Sequence, residues 1–263
     1  MYPEIQILNY TFTTYTVAAL FSAATGFALS LIFAKKLGYN YREFFLVFLG
    51  ILITFPIGAR MLNVILNYDY YSSNLNDIIS LSFRGFSVIG GIFASIFICF
   101  ILHKFIGKNP LSFLDALSIP FIISFSIMKL GCFANGCCYG KATSTFIGVI
   151  FPNKDVGIVN GLLSIFNSFS GIPRAVYPTQ LFESFLAILF IPIFIIVKKF
   201  YNFNKAGEIF LITGIYFTAL RLAIHPFRDF PYPIYIVSYI YPSIYLLIII
   251  VGINLLKKIR KTN

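Results

Sequence analysis

Seven apolar runs separated by polar joints decide what this chain can fold into. They lie near Thr14–Phe33, Phe45–Leu66, Phe86–Leu102, Phe113–Leu130, Thr179–Val197, Ile209–Ile224 and Tyr235–Leu256. Each is about long enough to cross a hydrocarbon core roughly 30 Å thick as a helix. Charged residues make up only 11% of the chain and apolar ones 59%, and a soluble domain carries about 25% charge. A water-soluble fold is excluded. The pattern predicts an all-α, polytopic transmembrane bundle of about seven helices. The joints leave no room for a separate soluble domain, so residues 1–263 read as a single transmembrane domain. One long joint interrupts it, predicted as an outward-facing loop or lid at about 141–177. Met1–Thr13 lacks Lys and Arg, and no small-residue cleavage site follows the first run, so that run reads as a retained helix.

The net charge of +11 does not call for nucleic acid, because the basic residues alternate sides as the chain threads the bilayer. Lys35, Lys36 and Arg42 occupy the first joint, Lys104 and Lys108 the third, and Lys198, Lys199 and Lys205 the fifth. Lys257, Lys258, Arg260 and Lys261 follow the last run. These twelve of the 20 Lys and Arg fall on one face, which the positive-inside rule assigns to the cytoplasm. The N-terminus then lies outside, the C-terminus lies in the cytoplasm, and Asp69, Asp77, Asp155 and Asp229 lie outside.

The other cations are the informative ones: Arg60, Arg84, Lys129, Lys141, Lys154, Arg174, Arg221 and Arg228. A cation on a helix at bilayer depth costs a few kcal/mol, so it pairs or faces a watery cavity. Arg60, Lys129 and Arg221 sit in apolar runs at or near their outward ends. Singly, each could snorkel or pair with Asp115, Glu183 or Glu208. As a group they have too few buried acids on the outer side to neutralise them all. That surplus suits a phosphate-bearing ligand, and in an outer leaflet the abundant one is an anionic phospholipid.

Four segments carry residue types that a featureless bundle does not need. In Arg84-Gly-Phe-Ser-Val-Ile-Gly-Gly91, the pair Gly90 and Gly91 at a helix start either offers amides to an anion or allows close helix packing. Lys129-Leu-Gly-Cys-Phe-Ala-Asn-Gly-Cys-Cys-Tyr-Gly-Lys141 ends a helix in a turn rich in Gly and thiols. Tyr177-Pro-Thr-Gln-Leu-Phe-Glu183 places Pro178 at a helix start, with Gln180 and Glu183 entering the membrane. Gly207-Glu208 is followed by Arg221, His225, Arg228 and Asp229; Arg221 and His225 share a helical face, with Arg228 one turn further on.

In this order and at these intervals the segments resemble the prolipoprotein diacylglyceryl transferase family over nearly the whole chain. The parts that match are Tyr15, Gly58-Ala-Arg60, Gly90-Gly91, Asp115, the Pro-Thr-Gln-Leu-Phe-Glu run and the end of the sixth run from Arg221 to Arg228. The family signature Gly-Arg-x-Gly-Asn-Phe-x-Asn-Gly-Glu-x-x-Gly looks like Met128 to Gly140, which includes Asn135. There are departures. Ile89 stands where the family usually has His, Lys129 replaces the signature Arg, Cys132 replaces its first Asn and Cys137 its Glu. Tyr177 and His225 replace a His and an acid. The resemblance thus implies a divergent member of a multi-pass enzyme family of the bacterial cytoplasmic membrane. Its members move the diacylglyceryl group of phosphatidylglycerol to the thiol of a lipobox cysteine in an exported precursor. It implies no cofactor.

For that chemistry the expected catalytic residues are Arg221 and Lys129, which would hold the departing phosphate, and His225, the outward-side imidazole, as general base. The expected substrate-binding residues are Tyr15, Arg60, Gly90, Gly91, Asn135, Gly140, Gln180, Glu183 and Arg228. His103, at the cytoplasmic end of the third run, reads as a surface residue. Cys132, Cys137 and Cys138 form a thiol cluster with several readings. It could be a disulfide of Cys132 with either neighbour, thiols filling a tight helix end, or the nucleophile of a membrane acyltransferase. Their spacing matches no common zinc pattern, and no metal is expected. A non-catalytic protein that binds an anionic phospholipid is the remaining alternative.

Overall fold

The computed structural model describes residues 4–7, 10–79, 87–151, 175–230 and 232–261. Arg84, Lys154, Asp155 and Arg174, together with most of the expected lid, lie outside the described residues. Among the described residues, seven helices are long and apolar enough to cross a membrane. In chain order the helices are α1 (Thr14–Lys36), α2 (Tyr41–Leu66), the short α3 (Tyr68–Ser73), α4 (Val88–Ile106), α5 (Pro110–Asn135), α6 (Thr179–Phe200), α7 (Glu208–Ile224) and α8 (Tyr241–Lys261). A π turn, Ile236–Ile240, leads into α8. The chain is an all-α, multi-pass membrane protein. Hydropathy does not signal the one addition at the start, an antiparallel hairpin of β1 (Glu4–Ile7) with β2 (Tyr10–Thr13).

Helix ends fall where the local chemistry puts them. Asn40 caps α2 through a reciprocal box, its side chain accepting from the Glu43 amide while Glu43 accepts from the Asn40 amide, both at 2.9 Å. Gly107, at φ 75°, closes α4 in the left-handed conformation that glycine adopts without strain. Pro110 opens α5, where its missing N–H costs nothing. Lys35 and Lys36 end α1, and Lys258, Arg260 and Lys261 end α8, all at the negative pole of the helix dipole. Large apolar side chains line the outer faces: Leu20, Leu52, Ile65, Phe97, Phe185 and Leu247 are all more than half exposed. In water such a surface would aggregate; in lipid it is solvated.

The chain divides into two compact units, one of residues 1–30 and 117–263, the other of residues 31–116. In the second unit α2 and α4 pack through small residues. A Cβ on Gly58 would come within 2.5 Å of the Gly90 carbonyl oxygen, and one on Gly90 within 2.3 Å of the Gly58 oxygen. Such close backbone approach is how helices associate when lipid offers no hydrophobic drive. His103 belongs to this unit, and here the expectation of a surface residue is corrected. It is 2% exposed, its Nδ1 bonded to the Cys99 carbonyl at 2.7 Å and its Nε2 to the Tyr39 hydroxyl at 3.1 Å. Phe113 packs edge-on against Tyr39 beside the imidazole. The apolar run hid this burial because Tyr39 and Phe113 reach His103 from outside its helix.

In the first unit hydroxyls and aromatic rings tie the helices together. Ser22 on α1 donates to the Ser124 carbonyl of α5 at 2.7 Å, and Ser126 on α5 meets Ser184 on α6 at 2.8 Å. Phe121 and Phe125 of α5 bracket Phe217 of α7. Gly252 of α8 lies against Ile215 of α7. Glu208 anchors the end rich in Lys and Arg, meeting Arg260 at 3.3 Å and the Tyr201 hydroxyl at 3.0 Å.

Candidate functional site

At the opposite end of the first unit, three helices bring their cations to one acid. Lys129 lies in the last two turns of α5, Glu183 in the second turn of α6, and Arg221 in the last turn of α7. A 3-10 turn, His225–Phe227, then carries the chain to Arg228. Lys129 Nζ stands 2.5 Å from Glu183 Oε2, and Arg228 donates to Glu183 Oε1 at 2.5 Å. Arg221 donates to the same Oε1. The carboxylate is sealed at 0% exposure, while the three cationic side chains keep 12–18%. Among the described residues, one buried negative charge thus serves three positive ones.

Other polar atoms around the group have no internal claim on them. Gln180 Oε1, Arg228 Nε and His225 Nδ1 are buried without a hydrogen-bond partner among the described residues. Buried polar atoms left this way usually await water or a ligand. His225 donates through Nε2 to the Val237 carbonyl at 2.7 Å, so Nδ1 carries the lone pair when the ring is neutral. Phe230, Tyr241 and Tyr245 surround the ring, and Arg228 lies 5.2 Å over Phe230.

The turn after α5 is fastened to this group. Gly140 donates to the Tyr177 carbonyl at 2.8 Å and forms an antiparallel bridge with Arg228. A Cβ there would meet the Phe227 oxygen at 2.1 Å, so only glycine fits. Gln180 donates to the Cys137 carbonyl at 2.6 Å, and Thr179 to the Cys138 carbonyl at 3.2 Å. Asn135 ends α5, and the Cys137 thiol donates to the Cys132 carbonyl at 3.6 Å. All four cysteines are free thiols, and the Sγ atoms of Cys132, Cys137 and Cys138 lie within 4.8 Å of one another. Thiol hydrogen bonds from Cys132 and then Cys137 hold the Cys138 thiol below its ordinary range against the cost of burial, with Lys129 and Arg228 adding to the shift. Along the neighbouring faces of α5 and α6 runs an apolar groove of about 440 Å³, lined by Ile123, Ile127, Leu130, Leu181, Phe185 and Ile188.

Residues 4–257 match the family described as prolipoprotein diacylglyceryl transferase. The chain belongs to this family. The proteins it resembles include one from Streptococcus mutans, 30% identical over 182 residues, covering 68% of this chain and 65% of that protein. One from Streptococcus pyogenes is 29% identical over 69% of this chain and 67% of its own length. One from Clostridium tetani is 25% identical over 75% and 73%. All three bear the name phosphatidylglycerol–prolipoprotein diacylglyceryl transferase. The match thus spans just under two thirds of the S. mutans relative.

For this transferase-family chain, the expected site residues divide between the two compact units. Lys129, Arg221, Arg228, Glu183, Gln180, Gly140, Asn135, His225 and the three thiols all belong to the first unit, as does Tyr15. Arg60, Gly90 and Gly91 belong to the second. There Arg60 reaches the Tyr71 hydroxyl at 3.4 Å, and the Gly91 amide is bonded to the Ser87 carbonyl. Sequence reasoning missed the neighbours Thr179, Phe230 and Tyr245. A small polar residue beside Pro178 and a concentration of Tyr after Arg228 were the only signals available.

Proposed function

We propose that this protein transfers the diacylglyceryl group of phosphatidylglycerol to the lipobox cysteine thiol of an exported precursor, working in the bacterial cytoplasmic membrane with its basic helix ends in the cytoplasm. The observation that carries the reading is the convergence of Lys129, Arg221 and Arg228 on the single carboxylate of Glu183. Glu183 fixes the cations against their mutual repulsion and cancels only one of their three charges. What is left matches a phosphodiester that gains negative charge as its carbon–oxygen bond breaks. Arg221 and Arg228 suit planar, two-pronged contacts to phosphate oxygens, and Lys129 supplies a point charge. The apolar groove between α5 and α6 suits the acyl chains of the donor.

In the reaction the acceptor thiol loses its proton and its sulfur attacks the glyceryl carbon that bears the phosphoester. A carbon–sulfur bond forms, the carbon–oxygen bond breaks, and glycerol phosphate leaves with the bonding pair. His225 is proposed to take the proton at Nδ1, the nitrogen free of internal bonds. Gln180, through its free Oε1, is proposed to orient a hydroxyl of the donor head group. Tyr15, Asn135 and Gly140 complete the proposed binding set of the first unit, and Arg60, Gly90 and Gly91 are proposed separately as binding residues of the second.

The test is substitution at Arg221 in the purified enzyme. Arg221→Ala abolishes transfer of labelled diacylglyceryl to a lipobox peptide, and Arg221→Lys retains a small fraction because it keeps the charge without the fork. Unchanged turnover in both variants would remove Arg221 from the site.

A further inference from the structure

The thiols of Cys132, Cys137 and Cys138 take no part in the proposed transfer, yet their geometry is specific. We propose that these three residues form a three-thiolate site for a soft, low-coordinate cation of the Cu(I) class. Three thiolates arranged around one ion at about 2.3 Å stand about 4 Å apart. Here the Sγ atoms all lie within 4.8 Å of one another before any ion pulls them in.

The backbone brings this about. Cys132 is buried in the last turn of α5, and the chain then reverses through two left-handed residues, Gly136 at φ 67° and Cys138 at φ 63°. A side-chain-bearing residue in that region is strained and persists where its surroundings hold it. The Cys137 amide donates back to the Cys132 carbonyl at 2.9 Å, and Gln180 and Thr179 grip the carbonyls of Cys137 and Cys138. The ligands are thus held in place by bonds that do not use their sulfurs, as a pre-formed metal site requires.

The ligand count selects the class of ion. Among the described residues no His, Asp, Glu or further Cys joins the trio, so the fourth protein ligand of a structural zinc site is missing. Soft thiolates with few partners favour Cu(I) over harder ions. Binding converts three thiols and one Cu(I) into a tris-thiolate complex with a net charge of about −2 and releases up to three protons. Lys129 and Arg228, whose charges act on Cys138, offset that charge. In the sequence the three cysteines match no zinc spacing because the site is trigonal and depends on the two left-handed residues.

The experiment uses the full chain in detergent, reduced and kept free of oxygen, without lipid or peptide, so that its outcome is independent of the transfer reaction. Cu(I) is titrated against a competing chromophoric chelator and the bound ion is examined by X-ray absorption. The expected result is one Cu(I) per chain with three sulfur neighbours at the ~2.3 Å of a metal–thiolate bond. Cys132→Ser and Cys138→Ser each lose about 100-fold or more in affinity, with Cys99 left in place. The absorption measurement on the unmodified protein stands even if a variant misfolds. Failure to hold Cu(I) against the chelator, a coordination shell of fewer than three sulfurs, equal affinity in the Cys132/Cys137/Cys138 triple Ser variant, or tetrahedral Zn(II) bound in preference to Cu(I) would each overturn the proposal.

Discussion

Replacing Glu183 with Gln removes one negative charge at nearly constant volume and leaves three cations facing each other. At an effective dielectric of about 20, unit charges about 4 Å apart interact by about 4 kcal/mol. Three such attractions, to Lys129, Arg221 and Arg228, are offset by repulsion among the cations and by the desolvation of a fully buried carboxylate. The measured cost of orphaning a buried charge, about 3–5 kcal/mol, is the better guide to the net loss. For a chain of this size that corresponds to a fall in midpoint of about 6–20 °C. The chain contains no Trp, so thermal unfolding in detergent is followed by circular dichroism at one fixed scan rate. Glu183→Gln/Arg228→Gln recovers part of the loss, because it removes one of the orphaned cations, and a double-mutant cycle reads the coupling. If Glu183→Gln melts within about 2 °C of the parent, the carboxylate does not organise the cations and the reasoning fails.

Three further predictions rest on other parts of the molecule. Gly90→Val drives a side chain into the Gly58 carbonyl, so thermal melts are expected to show a loss of about 1–3 kcal/mol; an unchanged melt would mean that α2 and α4 do not pack through that pair. The Cys138 thiol is held below its ordinary range by the Cys132 and Cys137 thiols, so its thiolate persists as pH falls. Its alkylation, mapped by tandem mass spectrometry on the parent protein, stays flat between about pH 6 and 8, whereas an ordinary thiol loses about tenfold in rate per unit below its pKa; a tenfold slope at Cys138 would contradict the shift. A fluorescent protein fused after Asn263 folds and glows if the basic end of α8 is cytoplasmic, and a dark fusion that gains activity as an alkaline phosphatase fusion would reverse the proposed orientation.

The hydropathy of the chain was enough to place all seven spanning helices, with ends within a few residues, because a bilayer leaves few alternatives to a helix about 20 residues long. The charges were read as a surplus, and of the cations in that reading Lys129, Arg221 and Arg228 meet at Glu183. The single acid shared by three cations could not be read, since it depends on how α5, α6 and α7 are set against each other, a tertiary fact with no local signature. Gly90 and Gly91 left two readings open in the sequence, and the Gly58–Gly90 contact shows close packing at that point. His103 was misplaced because Tyr39 lies in the joint before α2, so nothing near His103 in sequence reveals its burial. The thiol trio was visible as composition, but its convergence required the left-handed turn at Gly136 and Cys138.

Transfer itself is the most direct test. Purified protein is incubated with phosphatidylglycerol and a lipobox peptide, and both products are followed by mass spectrometry. The account predicts a diacylglyceryl mass increment on the peptide cysteine with an equal amount of free glycerol phosphate, neither formed by Arg221→Ala. Phospholipid retained by the protein, with neither product formed, would contradict it and leave a lipid-binding protein without turnover.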